Sequence, residues 1–280
     1  MPALAQQQPR IEPGDRAGRA PAIEVSGLEA HYGRVQVLFG LDLAIHQGEI
    51  LVIMGGSGSG KSTFLRHLIG LERPSRGTIR LLGEDLATLD PMATLGLRKQ
   101  IGVAFQGGAL FSSLTVAENI KMPLREHTRL DETTMDIMAR LKLEVVDLSG
   151  FGGLMPSELS GGMLKRAAIA RAIVMDPRLL YFDEPSAGLD PVVSSAIDSL
   201  ILRLRDAMGM TMVIVTHEIE SALKIADRIA ILDRGRILEV GTPDEVRNSA
   251  NERTLNLLNR RPAEEPLDPA EYLRRLAGAG

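Results

Sequence analysis

From Ile23 onward, apolar residues follow two distinct spacings. Ile23–Val25, Val35–Leu38 and Leu41–Ile45 alternate in strand fashion, punctuated by Gly33 and Gly40. Glu49–Met54 instead runs almost continuously apolar into a cluster of glycines, and Leu179–Phe182, Met212–Val215 and Ile229–Leu232 are similar short runs. Runs of that kind suit parallel strands covered on both faces. Helical spacing marks the segments Lys61–Leu71, Gly162–Met175, Pro191–Met208 and Glu218–Ala226, and Leu114–Leu148 predicts a helical insert. Strands alternating with helices predict an α/β fold with a mostly parallel core sheet. A tight turn at Asp233–Arg236 leads into Ile237–Val240, expected as an added antiparallel strand.

The ends read differently. Residues 1–22 are rich in Gln, Pro, Gly and Arg without periodicity and are expected to be a disordered tail with no secretory signal. Past Val246 the pattern weakens. Asn251–Arg260 and Asp268–Leu276 predict two short helices, the second capped by Asp268 with Pro269 in its first turn.

Composition removes several chemistries. With no cysteine among 280 residues there is no disulfide framework, thiolate metal site or cysteine nucleophile. A net charge of −4 argues against an electrostatic nucleic-acid binder. No apolar stretch approaches the roughly 18 residues of a membrane span. A soluble, cytoplasmic protein is therefore expected.

Gly55–Ser62 fits the pattern G-x-x-x-x-G-K-[ST], after a predicted strand and opening a predicted helix. Glycines let successive backbone N–H groups point at phosphate oxygens, and the helix N-terminus adds favourable partial charge. Gly55, Gly56, Ser57, Gly58, Ser59, Gly60, Lys61, Ser62 and Thr63 form the expected phosphate-binding set. Lys61 suits the β- and γ-phosphates, and the Ser62 hydroxyl suits Mg²⁺. Such a loop alone leaves kinases, GTPases, helicases and transport ATPases open.

Further along, Leu159-Ser-Gly-Gly-Met163 opens a helical stretch. The run Leu179–Phe182 then ends in Asp183-Glu184-Pro185, followed by Asp190. Over about Ile23–Val246 the sequence resembles the ATP-binding cassette (ABC) ATPase family, with each family motif in order. That resemblance implies a P-loop NTPase fold over 23–247, with an antiparallel β subdomain and a helical subdomain at about 107–175. It implies ATP hydrolysis with ATP and Mg²⁺. Asp183 would hold the metal with Ser62 and Gln106, and Glu184 would act as base or water positioner. Gln106 matches the Q-loop, His217 the switch histidine, Tyr32 the aromatic that stacks on adenine, and Asp190 the carboxylate that crosses the dimer interface. Ser160, Gly161 and Gly162 would close on ATP held by a second copy, which makes a homodimer the expected working unit. The usual fifth signature residue is Gln, and here it is Met163.

The stretch Phe105–Asn119 with Met122–Thr128 and the Leu-Ser-Gly-Gly-Met signature is similar to the Mla-type subfamily. That implies a place on the cytoplasmic face of the inner membrane, held only through partners. Those partners would be an integral membrane permease, an MCE-domain lipid-binding protein and a STAS-domain subunit, moving phospholipid between Gram-negative membranes. An ABC transporter ATPase for another solute is the alternative. A repair ATPase of the SMC kind would need hundreds of residues between loop and signature, whereas 99 positions separate Lys61 from Ser160. Residues 248–280 exceed what a minimal cassette needs and are expected either to contact the second copy or a partner, or to pack as a helix on their own domain ahead of a disordered end.

Overall fold

The computed structural model describes residues 21–259. The expected tail therefore lies outside the described residues except at its end, and there the expectation fails: Pro21 and Ala22 already belong to β1 (Pro21–Tyr32). The backbone of Ala22 is committed by its carbonyl, which accepts the Leu82 N–H at 2.7 Å. Val35–Leu38 and Leu41–Ile45 are likewise one strand, β2 (Val35–His46), which runs through Gly40 because glycine tolerates its φ of 67°.

β1 pairs antiparallel with β2 and with β4 (Arg76–Leu81), which pairs with β5 (Glu84–Asp85), giving a four-stranded sheet ordered β2-β1-β4-β5. The second sheet has six strands, ordered β10-β9-β3-β8-β7-β6. Its members are β3 (Ile50–Met54), β6 (Ile101–Ala104), β7 (Leu179–Asp183), β8 (Thr211–Val215), β9 (Arg228–Asp233) and β10 (Arg236–Gly241). All its pairings are parallel except β9 with β10.

Side chains alternate across a strand, and here the alternation feeds two cores. Ile50, Val52 and Met54 of β3 join Leu180 and Phe182 of β7 and Met212 and Ile214 of β8 on one face. Leu51, Ile53, Leu179, Tyr181, Val213 and Val215 point to the other, where they meet β1, β2 and α1 (Lys61–Leu68). This explains the unbroken apolar runs: both faces of these strands are covered.

On the first face pack α3 (Val116–His127), α4 (Glu132–Val145), α5 (Gly161–Ala172), α6 (Pro191–Met208) and α7 (Ile219–Ile225). Their starts are chemically marked. Thr115 and Glu118 form a reciprocal capping box at α3, Asp131 caps α4, and Asp190 with Pro191 opens α6, which stops at Gly209 with φ 61°. The loop before α3 is held by Asn119, fully buried, whose amide donates to the carbonyls of Phe111, Leu114 and Thr115.

α2 (Pro91–Arg98) follows β5, while α8 (Pro243–Arg247) and α9 (Glu252–Leu258) follow β10. Asn251 caps α9, and Leu257 and Leu258 pack against the first core of the same chain. The second helix expected in the extension, Asp268–Leu276, lies outside the described residues. No helix among the described residues is long and apolar enough to cross a membrane.

Candidate functional site

Parallel strands in level register bring their carboxyl ends to one edge. Ile53 pairs with Val215, Asp183 with Val215, and Phe182 with Ala104. The segments leaving those ends are the glycine loop after β3, Gln106 after β6, Asp183 and Glu184 at β7, and His217 after β8. They enclose a cleft of about 900 Å³ lined by Gly55, Gly56, Ser57, Gly58, Lys61, Ser62, Gln106, Asp183, Glu184 and His217. This is where an open α/β sheet binds its ligand.

The loop geometry suits an anion. Gly60 caps α1 in the left-handed region at φ 102°, with no side-chain cap, so the first amides of α1 are available at the cleft. Gly55 tolerates nothing larger, since a Cβ there would lie 2.1 Å from the Leu232 carbonyl oxygen. Lys61 Nζ donates to the carbonyls of Gly55 and Gly56 at 2.8 and 2.9 Å. Burial pushes its pKa below the usual lysine value, against the pull of Glu184 and Asp183. Ser59 and Thr63 are buried. Ser59 serves the loop through its backbone, its carbonyl accepting the Gly235 N–H at 2.9 Å.

Glu184 is held from several sides. Its φ of 49° is unusual for a non-glycine residue, and its N–H donates to the Val215 carbonyl at 2.8 Å. Its carboxylate accepts from Thr216 Oγ1 at 3.2 Å and from His217 Nδ1 at 2.9 Å. A carboxylate only accepts, so Nδ1 carries the proton of that bond and the imidazole is oriented by it. Lys165, which sequence reasoning did not single out, donates to the main-chain carbonyls of both Gln106 and Glu184.

The remaining expected residues lie outside this cleft. Ser160 caps α5, accepting the Met163 N–H at 3.3 Å, and leaves Gly161 exposed beside it. Gly162 sits against α6, where a Cβ would meet Val193 Cγ1 at 2.5 Å. Asp190 accepts the N–H groups of Val192 and Val193. Tyr32 ends β1 with its hydroxyl 3.2 Å from Arg66 Nη1. In the other direction, Asn256 and Leu257 of α9 border the cleft, a contact not expected from the sequence.

Ser62, Gln106 and Asp183 supply oxygen donors to one cleft, a set that fits Mg²⁺. Three protein oxygens are fewer than an octahedral Mg²⁺ shell takes, so phosphate and water oxygens would complete it. Burial, and then the neighbouring Glu184, push the Asp183 carboxyl above the usual carboxylate range, while Lys165, Lys61 and Arg66 pull it down. A carboxyl raised in this way holds its proton more tightly folded than unfolded. Its contribution to stability is therefore lost as pH rises from the unfolded value through the folded one. Asp183→Asn is thus expected to raise the nucleotide-free melting temperature at pH 7, by about 2 °C or more, while ATP turnover collapses. A lower melting temperature would show that Asp183 is not a burden on the fold.

A glycine loop closing on lysine between strand and helix, with an acid pair on a nearby strand end, defines a P-loop nucleoside triphosphatase. The profile of the family described as ABC transporter matches residues 38–187. The intermembrane phospholipid transport system ATP-binding protein MlaF of Haemophilus influenzae is 41% identical over 236 residues, covering 84% of this chain and 89% of that one. The sulfate/thiosulfate import ATP-binding protein CysA of Caulobacter vibrioides is 40% identical over 230 residues, covering 81% and 66%. A dimeric ATP-binding cassette in a post-hydrolysis state, bound to ADP and phosphate, superposes with a TM-score of 0.72 at 30% identity, covering 79% and 98%. The chain belongs to the ABC transporter ATP-binding family, and ATP hydrolysis is its reaction.

Proposed function

We propose that the chain powers a phospholipid permease from the cytoplasmic face of the inner membrane, working as a head-to-tail homodimer around two ATP. The relation to MlaF over most of both chains carries the phospholipid reading. The pairing is supported by Ser160, Gly161 and Gly162 standing outside their own chain's cleft, where a second chain can use them. Tyr32 then supports the adenine and Asp190 crosses the interface.

Within each cleft, Lys61 and the loop amides hold the phosphates, and Ser62, Asp183 and Gln106 hold Mg²⁺. The metal, when bound, offsets charge on the transferring phosphoryl group. Glu184 aligns a water and takes its proton at a carboxylate oxygen, while His217, oriented by that same carboxylate, offers its ring to the γ-phosphate.

The transport partners are an integral membrane permease, an MCE-domain lipid-binding protein and a STAS-domain subunit, with membrane attachment only through them. Similarity to a sulfate importer at nearly equal identity favours the second reading, an ABC transporter for another solute. Affinity purification from detergent-solubilised membranes separates the two. A permease with an MCE-domain protein supports phospholipid transport, and a periplasmic solute-binding protein overturns it. In the same preparation, deleting residues 248–280 is expected to weaken assembly more than ATP affinity. Full assembly of the truncated chain would remove the extension from the interface.

A further inference from the structure

Lys165 stands on the second turn of α5, the helix whose N-terminus carries Ser160, Gly161 and Gly162. Its ammonium joins two catalytic segments far apart in sequence, donating to the Gln106 carbonyl and, at 2.9 Å, to the Glu184 carbonyl. Two turns on, Arg171 extends the same grip, its guanidinium donating to the carbonyls of Ala109 and Gly108 at 2.7 and 2.9 Å. One helix thus holds the 106–109 loop at three carbonyls, and only Lys165 also reaches β7's end.

The Glu184 end of this bridge is the sensitive one. Its backbone sits at φ 49°, and among the described residues its carbonyl otherwise accepts a long bond from Ala187 N–H at 3.3 Å. That carbonyl and the carboxylate hang from the same Cα, so a shift of this Cα that the Lys165 bond no longer resists would move the carboxylate relative to Thr216 and His217. Three N–H donors on a flexible stem let one ammonium serve both carbonyls as the helix shifts.

We propose that Lys165 is a positioning residue for hydrolysis: it ties Glu184 and Gln106 to the signature helix, so that seating of that helix sets the alignment of both. Its role runs through the two segments whose carbonyls it holds. Misplacement of a reacting group by about 1 Å costs on the order of a hundredfold in rate. The expected signature is therefore a loss in kcat with ATP recognition retained.

The test is steady-state ATPase kinetics on the full chain, with ATP affinity measured separately. Lys165→Met keeps the apolar stem and removes the donors. Its kcat is expected to fall about tenfold or more, with KM and ATP affinity within about twofold. Lys165→Arg, which restores several N–H donors, is expected to recover most of kcat. If Lys165→Met fails to fold, Lys165→Gln, with a shorter neutral donor, is expected to fall between the wild type and a full loss of kcat while KM holds. Unchanged kcat in the neutral variants, a KM rising in step with lost kcat, or an Arg variant no better than the neutral ones would each overturn the proposal.

Discussion

Glu184→Gln is expected to lower ATP turnover by about 10²–10⁴-fold, the range contributed by a positioned general base, while leaving ATP affinity nearly unchanged. Residue 184 is fixed at φ 49° with its N–H on the Val215 carbonyl, and neither feature depends on the side-chain charge. Glutamine has the same length. Thr216 Oγ1 bonds one carboxylate oxygen at 3.2 Å. His217 Nδ1 bonds the other carboxylate oxygen at 2.9 Å; glutamine keeps an acceptor at one of the two positions and puts its NH2 at the other, where the Thr216 hydroxyl can accept. What glutamine cannot do is take a proton from water. The phosphate grip proposed for the loop and Lys61 lies on another strand end and is expected to be spared. If the proposed head-to-tail dimer forms, the unhydrolysed nucleotide holds the two chains together, so size-exclusion chromatography with ATP and Mg²⁺ is expected to show a persistent dimer. Turnover within a few-fold of wild type would reject Glu184 as the base, whatever the oligomeric state.

That residue was legible because its setting was. An apolar run ending in two acids reads as a strand end carrying Asp183 and Glu184, the family resemblance sets Asp183 opposite Ser62, and the structure puts both acids, Ser62 and Lys61 in one cleft. Segments with one exposed face were harder to read. β4 buries only Ile79 and Leu81 of its six residues, so its alternation is thin, and α2 buries only Leu97. Neither element was predicted. Gly40 suggests a break between two strands because glycine normally interrupts one, whereas here its left-handed φ lets a single β2 continue. Lys165 left no signal at all. Its two contacts span 59 and 19 positions and involve backbone atoms, which carry no residue identity. The place of α9 beside the cleft was hidden for the same reason: Leu257 and Leu258 announce an apolar face without saying what it covers.

Lys61→Ala acts on the other half of the reaction, and is expected to reduce ATP affinity itself by about ten- to a hundredfold. Hydrogen bonds to a charged group contribute about 1.5–3 kcal/mol, and each 1.4 kcal/mol is about tenfold in affinity. The side chain is well placed for this. Its ammonium already sits among the loop carbonyls of Gly55 and Gly56, and burial has removed part of its hydration. A partly dehydrated cation loses less water when it meets phosphate oxygens, so more of the attraction appears as affinity. It also meets two carboxylates across the cleft, Asp183 and Glu184, whose repulsion of the incoming phosphates it offsets. The alanine variant therefore loses an attraction and exposes a repulsion. Lys61→Arg is not expected to rescue binding, because a broad planar fork of donors does not replace a compact ammonium that must approach the β- and γ-phosphates as a point charge. Isothermal titration with a slowly hydrolysed ATP analogue checks both variants apart from turnover. Wild-type affinity in Lys61→Ala would mean that the loop amides alone hold the phosphates.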